Sequence, residues 1–196
     1  METLELTSRP KELAARQSCA AVGQSHLMHA CANAFASQGL TVAQLLLTHN
    51  DLDSRVRHLN ARNTLTHLLS RGHVVPIINE NDSVAVEELN FGDNDRLSAE
   101  VSILMDADLL IILTSVDGLQ DAKGKTVSIV RDFDEVASLV RSDKGHTSTG
   151  GMVTKLQAAQ LAVKSGIAVN IANGRKAGLV YAIAAGKRVG TYFPAK

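Results

Sequence analysis

Tryptophan is absent from this chain of 196 residues, and aromatic residues make up only 3% of it. Scarce aromatic rings argue against platforms that stack nucleic-acid bases or sugars. The two cysteines are too few for a disulfide scaffold and lack the CxxC spacing of zinc or redox sites. No apolar run approaches the roughly 18 residues of a membrane span. We therefore expect a cytoplasmic protein with no membrane partner and no resident metal cluster.

An excess of charge of one sign is also missing. Twenty Lys and Arg residues balance twenty Asp and Glu residues, so the formal net charge is zero. Proteins that bind nucleic acids usually carry a basic surplus, and none is predicted here. Hydrophobic residues form 45% of the chain, enough for a sizeable core. We expect one globular domain over residues 1–196.

Apolar segments of strand length alternate with segments of helical periodicity. The pattern predicts helices at about residues 12–36, 52–69 and 152–165, with strands at 42–48, 74–79, 109–114 and 167–173. Asp51 is expected to cap the second helix and Gly72 to end it. Continuous apolar strands between helices indicate a mainly parallel sheet in an α/β/α sandwich. Such sheets bind ligands at the carboxyl ends of their strands.

Two Asn-Asp pairs follow the second strand, in the segments NEND (Asn79–Asp82) and GDND (Gly92–Asp95). The alternating residues between them predict a β-hairpin that folds the second pair toward the first, and a helix is expected to start at Asp95. The carboxylate of Asp82 suits an ammonium group, and the amide of Asn94 suits a carboxylate. Asn and Asp are also common turn formers, so either pair alone is as well explained by a turn.

A second polar segment, TGGMVTK (Thr149–Lys155), comes just before a predicted helix rich in alanine. Backbone N–H groups at a glycine pair, together with the positive end of the helix dipole, favour an anion. Lys155 adds a movable positive charge in the first turn. The spacing differs from that of a Walker P-loop. Thr114 and Ser115 end the third strand and add hydroxyl groups, while Asp117-Gly118 is a turn signal.

Taken together, these segments resemble the amino-acid kinase superfamily and, within it, the glutamate 5-kinase family. The similarity runs from about Arg9 to Phe193 and includes VVPIINENDSVA, FGDNDRLSA, ADLLIILTSVDGL and TGGMVTKLQAA. It implies the amino-acid kinase fold and transfer of the γ-phosphoryl group of Mg²⁺-ATP to the side-chain carboxylate of glutamate. The product, glutamyl 5-phosphate, begins proline biosynthesis. Assembly as a dimer or tetramer and, for many members, feedback by proline are also implied.

The resemblance assigns a role to each matching residue. Asp82 and Asn94, with Asn79 and Asp93 beside them, are expected to bind glutamate. Lys155 and Asp95 are the expected catalytic residues. The expected ATP-binding residues are Thr114, Ser115, Thr149, Gly150, Gly151, Met152, Val153, Thr154 and Lys155. Ser115 stands where the family usually has Asp, and Ser148 replaces a common Gly.

Family members begin with a strand that carries a phosphate-binding Lys, and a later strand ends in Ser-Gly-Ala that contacts glutamate. The sequence matches the family from a point just after these elements, so we expect an N-terminally incomplete fold without a PUA domain. Two alternatives stay open. One is another amino-acid kinase with a different acceptor, and the other is a non-catalytic remnant that regulates a full-length kinase.

Overall fold

The computed structural model describes residues 10–84, 93–134, 136 and 151–196, except for the side chain of Asp93. Contacts along the chain group the residues into two units, Met1–Asn90 and Phe91–Lys196.

The described residues of the first unit form a parallel pair of strands and three helices. Its elements are α1 (Leu13–Ala36), β1 (Thr41–Leu47), α2 (His49–Asp53), α3 (Arg55–Leu69) and β2 (Val74–Glu80). Strand β1 pairs with β2 from Thr41 opposite Val74 to Leu47 opposite Glu80. Helix α3 packs on β2 and contributes Leu65, which is 1% exposed. None of the described helices, α1 included, is long and apolar enough to cross a membrane.

The prediction of one helix capped by Asp51 was wrong, because the segment forms two helices that meet at Ser54. Ser54 has extended backbone angles, so the helix breaks there. Thr48 is the residue that caps α2, and Asp51 completes a capping box from three residues later. The Asp51 carboxylate accepts hydrogen bonds from the Thr48 backbone N–H at 2.8 Å and from its hydroxyl at 2.7 Å.

The capping box predicts a pH-dependent contribution to stability. Burial alone would raise the pKa of Asp51, but hydrogen bonds from Thr48 and from Arg57 outweigh it and lower that pKa. Because the folded pKa lies below the unfolded value, the stabilisation is present above about pH 3.9 and is lost as the pH falls through the folded pKa. We expect Asp51→Asn to lower the free energy of unfolding by about 1 kcal/mol at pH 7. Urea unfolding should show that this difference shrinks at pH 3.

The control for this prediction is Asp53→Asn. Asp53 is an exposed carboxylate at the end of the same helix. Equal losses of stability in the two variants at pH 7 would contradict the capping box, since only Asp51 accepts the Thr48 hydrogen bonds.

The second unit builds a mixed sheet with β4 in the middle. Its described elements are α4 (Asp93–Leu104), β3 (Leu109–Thr114), α5 (Gly151–Lys164), β4 (Ala168–Asn173), α6 (Leu179–Ala184) and β5 (Thr191–Phe193). Strand β3 runs parallel to β4, with Leu109 opposite Ala168 and Thr114 opposite Asn173. Strand β5 runs antiparallel to β4, with Val169 opposite Phe193.

Apolar side chains cover both faces of this sheet, because successive residues of a strand point to opposite sides. On one face α4 and α5 pack on the sheet, and the largest core cluster includes Ala99, Leu110, Ile112, Leu156, Ala159, Val169, Ile171 and Phe193. On the other face α6 packs through Leu179 and Ile183 on Ala172. Burial on both sides explains why the strands are continuously apolar in sequence.

The α/β class and the mainly parallel pairing are confirmed, and the bounds predicted for β3 are those observed. Helix α4 begins at Asp93, two residues before the predicted start at Asp95. The described strands form two sheets, which the sequence pattern did not predict. Helix α6 and strand β5 were also missed, because six and three residues are too short to show a period. The predicted hairpin lies outside the described residues.

Candidate active site

Two helices of the second unit begin at the edge of the sheet where β3 and β4 end, here called the carboxyl edge. Helix α4 packs on β3 and α5 packs on β4. Only residues 105–108 and 165–167 join each helix to the strand that follows it. Each helix therefore runs back along its strand and has its amino terminus near Thr114 or Asn173. Helix amino termini favour anions, so this edge suits a negatively charged ligand.

The carboxyl edge holds an ion pair between Asp95, in the first turn of α4, and Lys155, the fifth residue of α5. The Lys155 Nζ donates to both carboxylate oxygens of Asp95, at 2.9 Å and 3.1 Å. The Thr154 hydroxyl donates to the same carboxylate at 2.7 Å. The side chains of Lys155 and Asp95 are each only 16% exposed. Solvent therefore screens this pair less than it screens a surface ion pair.

This arrangement fixes a positive charge at a place where two helices already favour an anion. The Asp95 carboxylate restrains the long Lys155 side chain, and Thr154 restrains the carboxylate. An ammonium group has three N–H donors, so the pair with Asp95 leaves Lys155 able to donate to a ligand oxygen. A held ammonium of this kind can stabilise negative charge that develops on a transferring group.

A second polar cluster lies beside the same edge. The Asp117 carboxylate accepts hydrogen bonds from Lys176 Nζ at 2.8 Å and from Asn173 Nδ2 at 2.9 Å. These two hydrogen bonds, that from Lys176 first, lower the pKa of Asp117. The Arg175 backbone N–H donates to Asn173 Oδ1 at 3.1 Å, which orients the amide nitrogen toward Asp117. The cluster lines a cavity of about 300 Å³, which Thr126, Leu179 and Gly190 also line.

Residues 2–173 match the model of the amino acid kinase family. The chain belongs to this family. The chain is 46% identical to a glutamate 5-kinase of Syntrophotalea carbinolica, over 97% of this chain and 52% of the relative. It is 47% identical to a glutamate 5-kinase of Moorella thermoacetica, over 98% of this chain and 53% of the relative. The chain therefore spans about half the length of these curated relatives.

A solved structure supports the fold alone. The N-acetylglutamate synthase from Neisseria gonorrhoeae, complexed with coenzyme A and L-arginine, is similar to 68% of this chain and 30% of its own length. The TM-score is 0.52 and the sequence identity is 20%. At this sequence identity, the similarity concerns the backbone fold and not the ligands.

Of the predicted ATP-binding residues, Thr154 and Lys155 join the Asp95 cluster. Gly151 begins α5 and its carbonyl accepts from the Thr154 hydroxyl at 3.3 Å. Met152 packs against the core, and Val153 is 45% exposed. Thr149 and Gly150 lie outside the described residues.

Thr114 and Ser115, which were expected to contact the nucleotide, lie at the end of β3. The Thr114 side chain is half-buried, and its carbonyl accepts from the Gly174 N–H at 2.9 Å. Ser115 is exposed. Their contact with ATP stays a prediction.

The predicted glutamate-binding residues fall in both units. Asp82 is half-buried just after β2 in the first unit. Asn79 lies within β2, and its Nδ2 donates to Gln24 Oε1 of α1 at 2.8 Å, which ties the helix to the strand. In the second unit Asn94 is exposed in the first turn of α4, and Asp93 is the first residue of that helix. A joint glutamate site made of these residues stays a prediction.

Sequence reasoning missed the cluster of Asp117, Asn173 and Lys176. It interpreted Asp117 only as part of a turn. A usable signal was present, because Asp117 follows β3, Asn173 ends β4, and the two strands pair side by side. Polar residues after neighbouring parallel strands meet at one edge, so the pairing of β3 with β4 is enough to predict the contact.

Proposed function

We propose that this chain transfers the γ-phosphoryl group of ATP to the side-chain carboxylate of L-glutamate, the first step of proline biosynthesis. The observation that carries the proposal is the Lys155 ammonium held by Asp95 at the amino termini of α4 and α5. Identities of 46% and 47% to glutamate 5-kinases support the choice of acceptor.

Lys155 has the central electrostatic role in the proposed reaction. The attacking oxygen belongs to the glutamate carboxylate, and the bond that breaks joins the γ-phosphorus to the bridging oxygen of ADP. Charge spreads over the phosphoryl oxygens in the transition state, so positioning and charge stabilisation account for most of the catalysis. Lys155 would donate to one of these oxygens. Asp95 and Thr154 would act as positioning residues that hold the ammonium in place.

The nucleotide would lie along the carboxyl edge. The cavity beside Asp117, Asn173 and Lys176 offers both donors and acceptors, which suits the nucleoside part of ATP. The start of α5 would face the phosphates, since its N–H groups and Lys155 both favour anions. Thr114, Ser115, Thr149 and Gly150 belong to the same proposal through the family resemblance.

Mg²⁺ would reach the site as part of the nucleotide complex. Within the part of the chain that the structure describes, no group of three or more His, Cys, Asp or Glu side chains is arranged to hold a metal ion. Mg²⁺ commonly binds through substrate phosphates and water with only one or two carboxylates. When bound, it would neutralise part of the phosphate charge.

The proposal extends to the properties that the family resemblance implies. We propose a cytoplasmic location, assembly as a homo-oligomer and inhibition by proline. None of these follows from the contacts of the described residues, and each stays a prediction.

The test of the proposed function is ADP release by the purified chain with Mg²⁺-ATP, with and without glutamate. ADP release that depends on glutamate, and is weaker with acetylglutamate, aspartate or carbamate, supports the proposal. If only one of the other acceptors supports turnover, that acceptor and not glutamate is the substrate. Absence of turnover with every acceptor would favour the non-catalytic alternative and overturn the proposal for this chain.

We expect Asp82→Asn to raise the KM for glutamate by roughly 10- to 100-fold, because a charge-assisted hydrogen bond to the ammonium contributes about 1.5–3 kcal/mol. The KM for ATP should change by less than about twofold, because the lost contact is made by glutamate and not by ATP. The control is Asp53→Asn, an exposed carboxylate in the same unit. An unchanged KM for glutamate in Asp82→Asn would remove Asp82 from the proposed site.

A further inference from the structure

A second cavity lies at the opposite edge of the sheet in the second unit, here called the amino-edge cavity. Its volume is about 410 Å³, and Leu109 and Ala168, the first residues of β3 and β4, line it. Strand β3 separates this edge from Thr114 by about 17 Å, at roughly 3.3 Å per residue. The amino-edge cavity therefore lies at the other end of the strands from Thr114, and Arg188 lines both this cavity and the one beside Asp117.

Asn170 lines this cavity and carries an unpartnered polar atom. The residue is only 2% exposed, and its Oδ1 is buried without a hydrogen-bond partner among the described residues. Asn170 lies in β4 two residues before Ala172, so both side chains point to the face that α6 covers. Ile183 of α6 and Tyr192, which is opposite Asn170 in register, line the cavity on the same face.

A buried acceptor without a partner lowers the stability of a folded chain, and native proteins contain few of them. Each such group calls for an explanation, and a bound molecule that supplies the missing partner is one. An apolar side chain in place of Asn170 would lose no hydrogen bond to Oδ1 among the described residues. The position of Asn170 between apolar residues in the middle of β4 therefore points to a ligand.

The remaining lining defines the chemistry of that ligand. Lys187 and Arg188 supply two positive charges and Asp108 supplies one negative charge, which leaves a net positive lining. Leu109, Ala168 and Ile183 supply an apolar wall. We propose that the amino-edge cavity binds a small organic carboxylate with an aliphatic body and a hydrogen-bond donor. The carboxylate contacts Lys187 and Arg188, the body lies on the apolar wall, and the donor bonds to Asn170 Oδ1.

Three probes of one carbon skeleton test each part of this proposal. They are 2-hydroxy-4-methylpentanoate, 4-methylpentanoate without the hydroxyl, and 2-hydroxy-4-methylpentanamide without the charge. Binding is followed through the side-chain amide signals of Asn170 in ¹H–¹⁵N NMR spectra, without ATP or glutamate. We expect saturable shifts with the hydroxy acid, and a Kd roughly tenfold higher for each of the other two probes.

Variants separate the two ends of the ligand. Lys187→Gln should weaken binding of the hydroxy acid and leave binding of the amide probe unchanged. Lys164→Gln, at the end of α5, should change the affinity for neither probe. Asn170→Leu should abolish the preference for the hydroxyl, measured through backbone signals. It should melt no lower than the parent chain, because Asn170 Oδ1 has no hydrogen bond to lose among the described residues.

Lack of saturable binding by the hydroxy acid would overturn the proposal and leave a cavity that holds only water. Equal affinities for the hydroxy acid and 4-methylpentanoate would overturn the role of Asn170, even if Asn170→Leu does not fold. Because the test uses no nucleotide, its result is independent of the outcome for phosphoryl transfer.

Discussion

Replacing Lys155 by methionine is expected to lower kcat for phosphoryl transfer by about 10²- to 10³-fold, the range typical for removal of one preorganised donor to a developing charge. Methionine keeps most of the length of the side chain and removes the ammonium. The loss should appear in kcat more than in the KM for ATP, because the charge that Lys155 stabilises is largest in the transition state. Steady-state rates of ADP release measure both parameters.

The second effect of Lys155→Met falls on Asp95. The Asp95 carboxylate, 16% exposed, would lose its cation and keep the hydrogen bond from Thr154. The double variant Lys155→Met with Asp95→Asn should therefore recover part of any lost stability, while activity stays low. Lys164→Met is the matched control, since it removes a lysine from the last turn of the same helix. Full activity of Lys155→Met would contradict the proposed role of the ion pair.

Sequence patterns predicted the elements of this site better than its contacts. The apolar run of β3 is bounded by polar residues on both sides, and its predicted bounds were correct. Lys155 was expected in the first turn of a helix, and it is the fifth residue of α5, just past the first turn. The placement depends only on local periodicity and a glycine pair, which a single sequence contains.

The contact of Asp95 with Lys155 could not be predicted in the same way, because the two residues are 60 positions apart. It depends on how α4 packs on α5. Ala99 of α4 and Ala159 and Ala162 of α5 are fully buried, and such small side chains let the helices approach closely. The distance between the two helices, and not their sequence period, decides whether the ammonium reaches the carboxylate.

Two candidate capping residues, Thr48 and Asp51, explain why the helix start was predicted wrongly in the segment before Ser54. Thr48 and Asp51 satisfy each other in a capping box three residues before the expected helix start, so α2 begins early and ends at Asp53. Two reasonable capping residues lay close together, and sequence reasoning chose the later one. Asn170 was missed for a different reason, since a single Asn inside an apolar strand does not change the strand pattern.

Gly190→Ala is expected to lower the free energy of unfolding by about 2–5 kcal/mol, from a left-handed backbone cost and from overpacking. Gly190 has a φ of 76°, and an added Cβ would overlap the Ile171 carbonyl oxygen and lie 2.8 Å from the Ala172 Cβ. Both neighbours belong to β4, the central strand of the sheet, so neither can move away easily. Urea unfolding measures the loss, and the yield of folded chain measures it if the variant is too unstable.

Gly124→Ala separates the two causes, because Gly124 has a nearly equal φ of 75° and its added Cβ would meet no described atom within 4 Å. It should lower the free energy of unfolding by only about 1–2 kcal/mol, the left-handed cost alone. Similar losses in both variants would contradict a close approach of Gly190 to β4. A much larger loss for Gly190→Ala would show that this approach fixes β5 against β4. Gly190 also lines the cavity beside Asp117 and Asn173, so the same contact would then set the shape of the proposed nucleotide site.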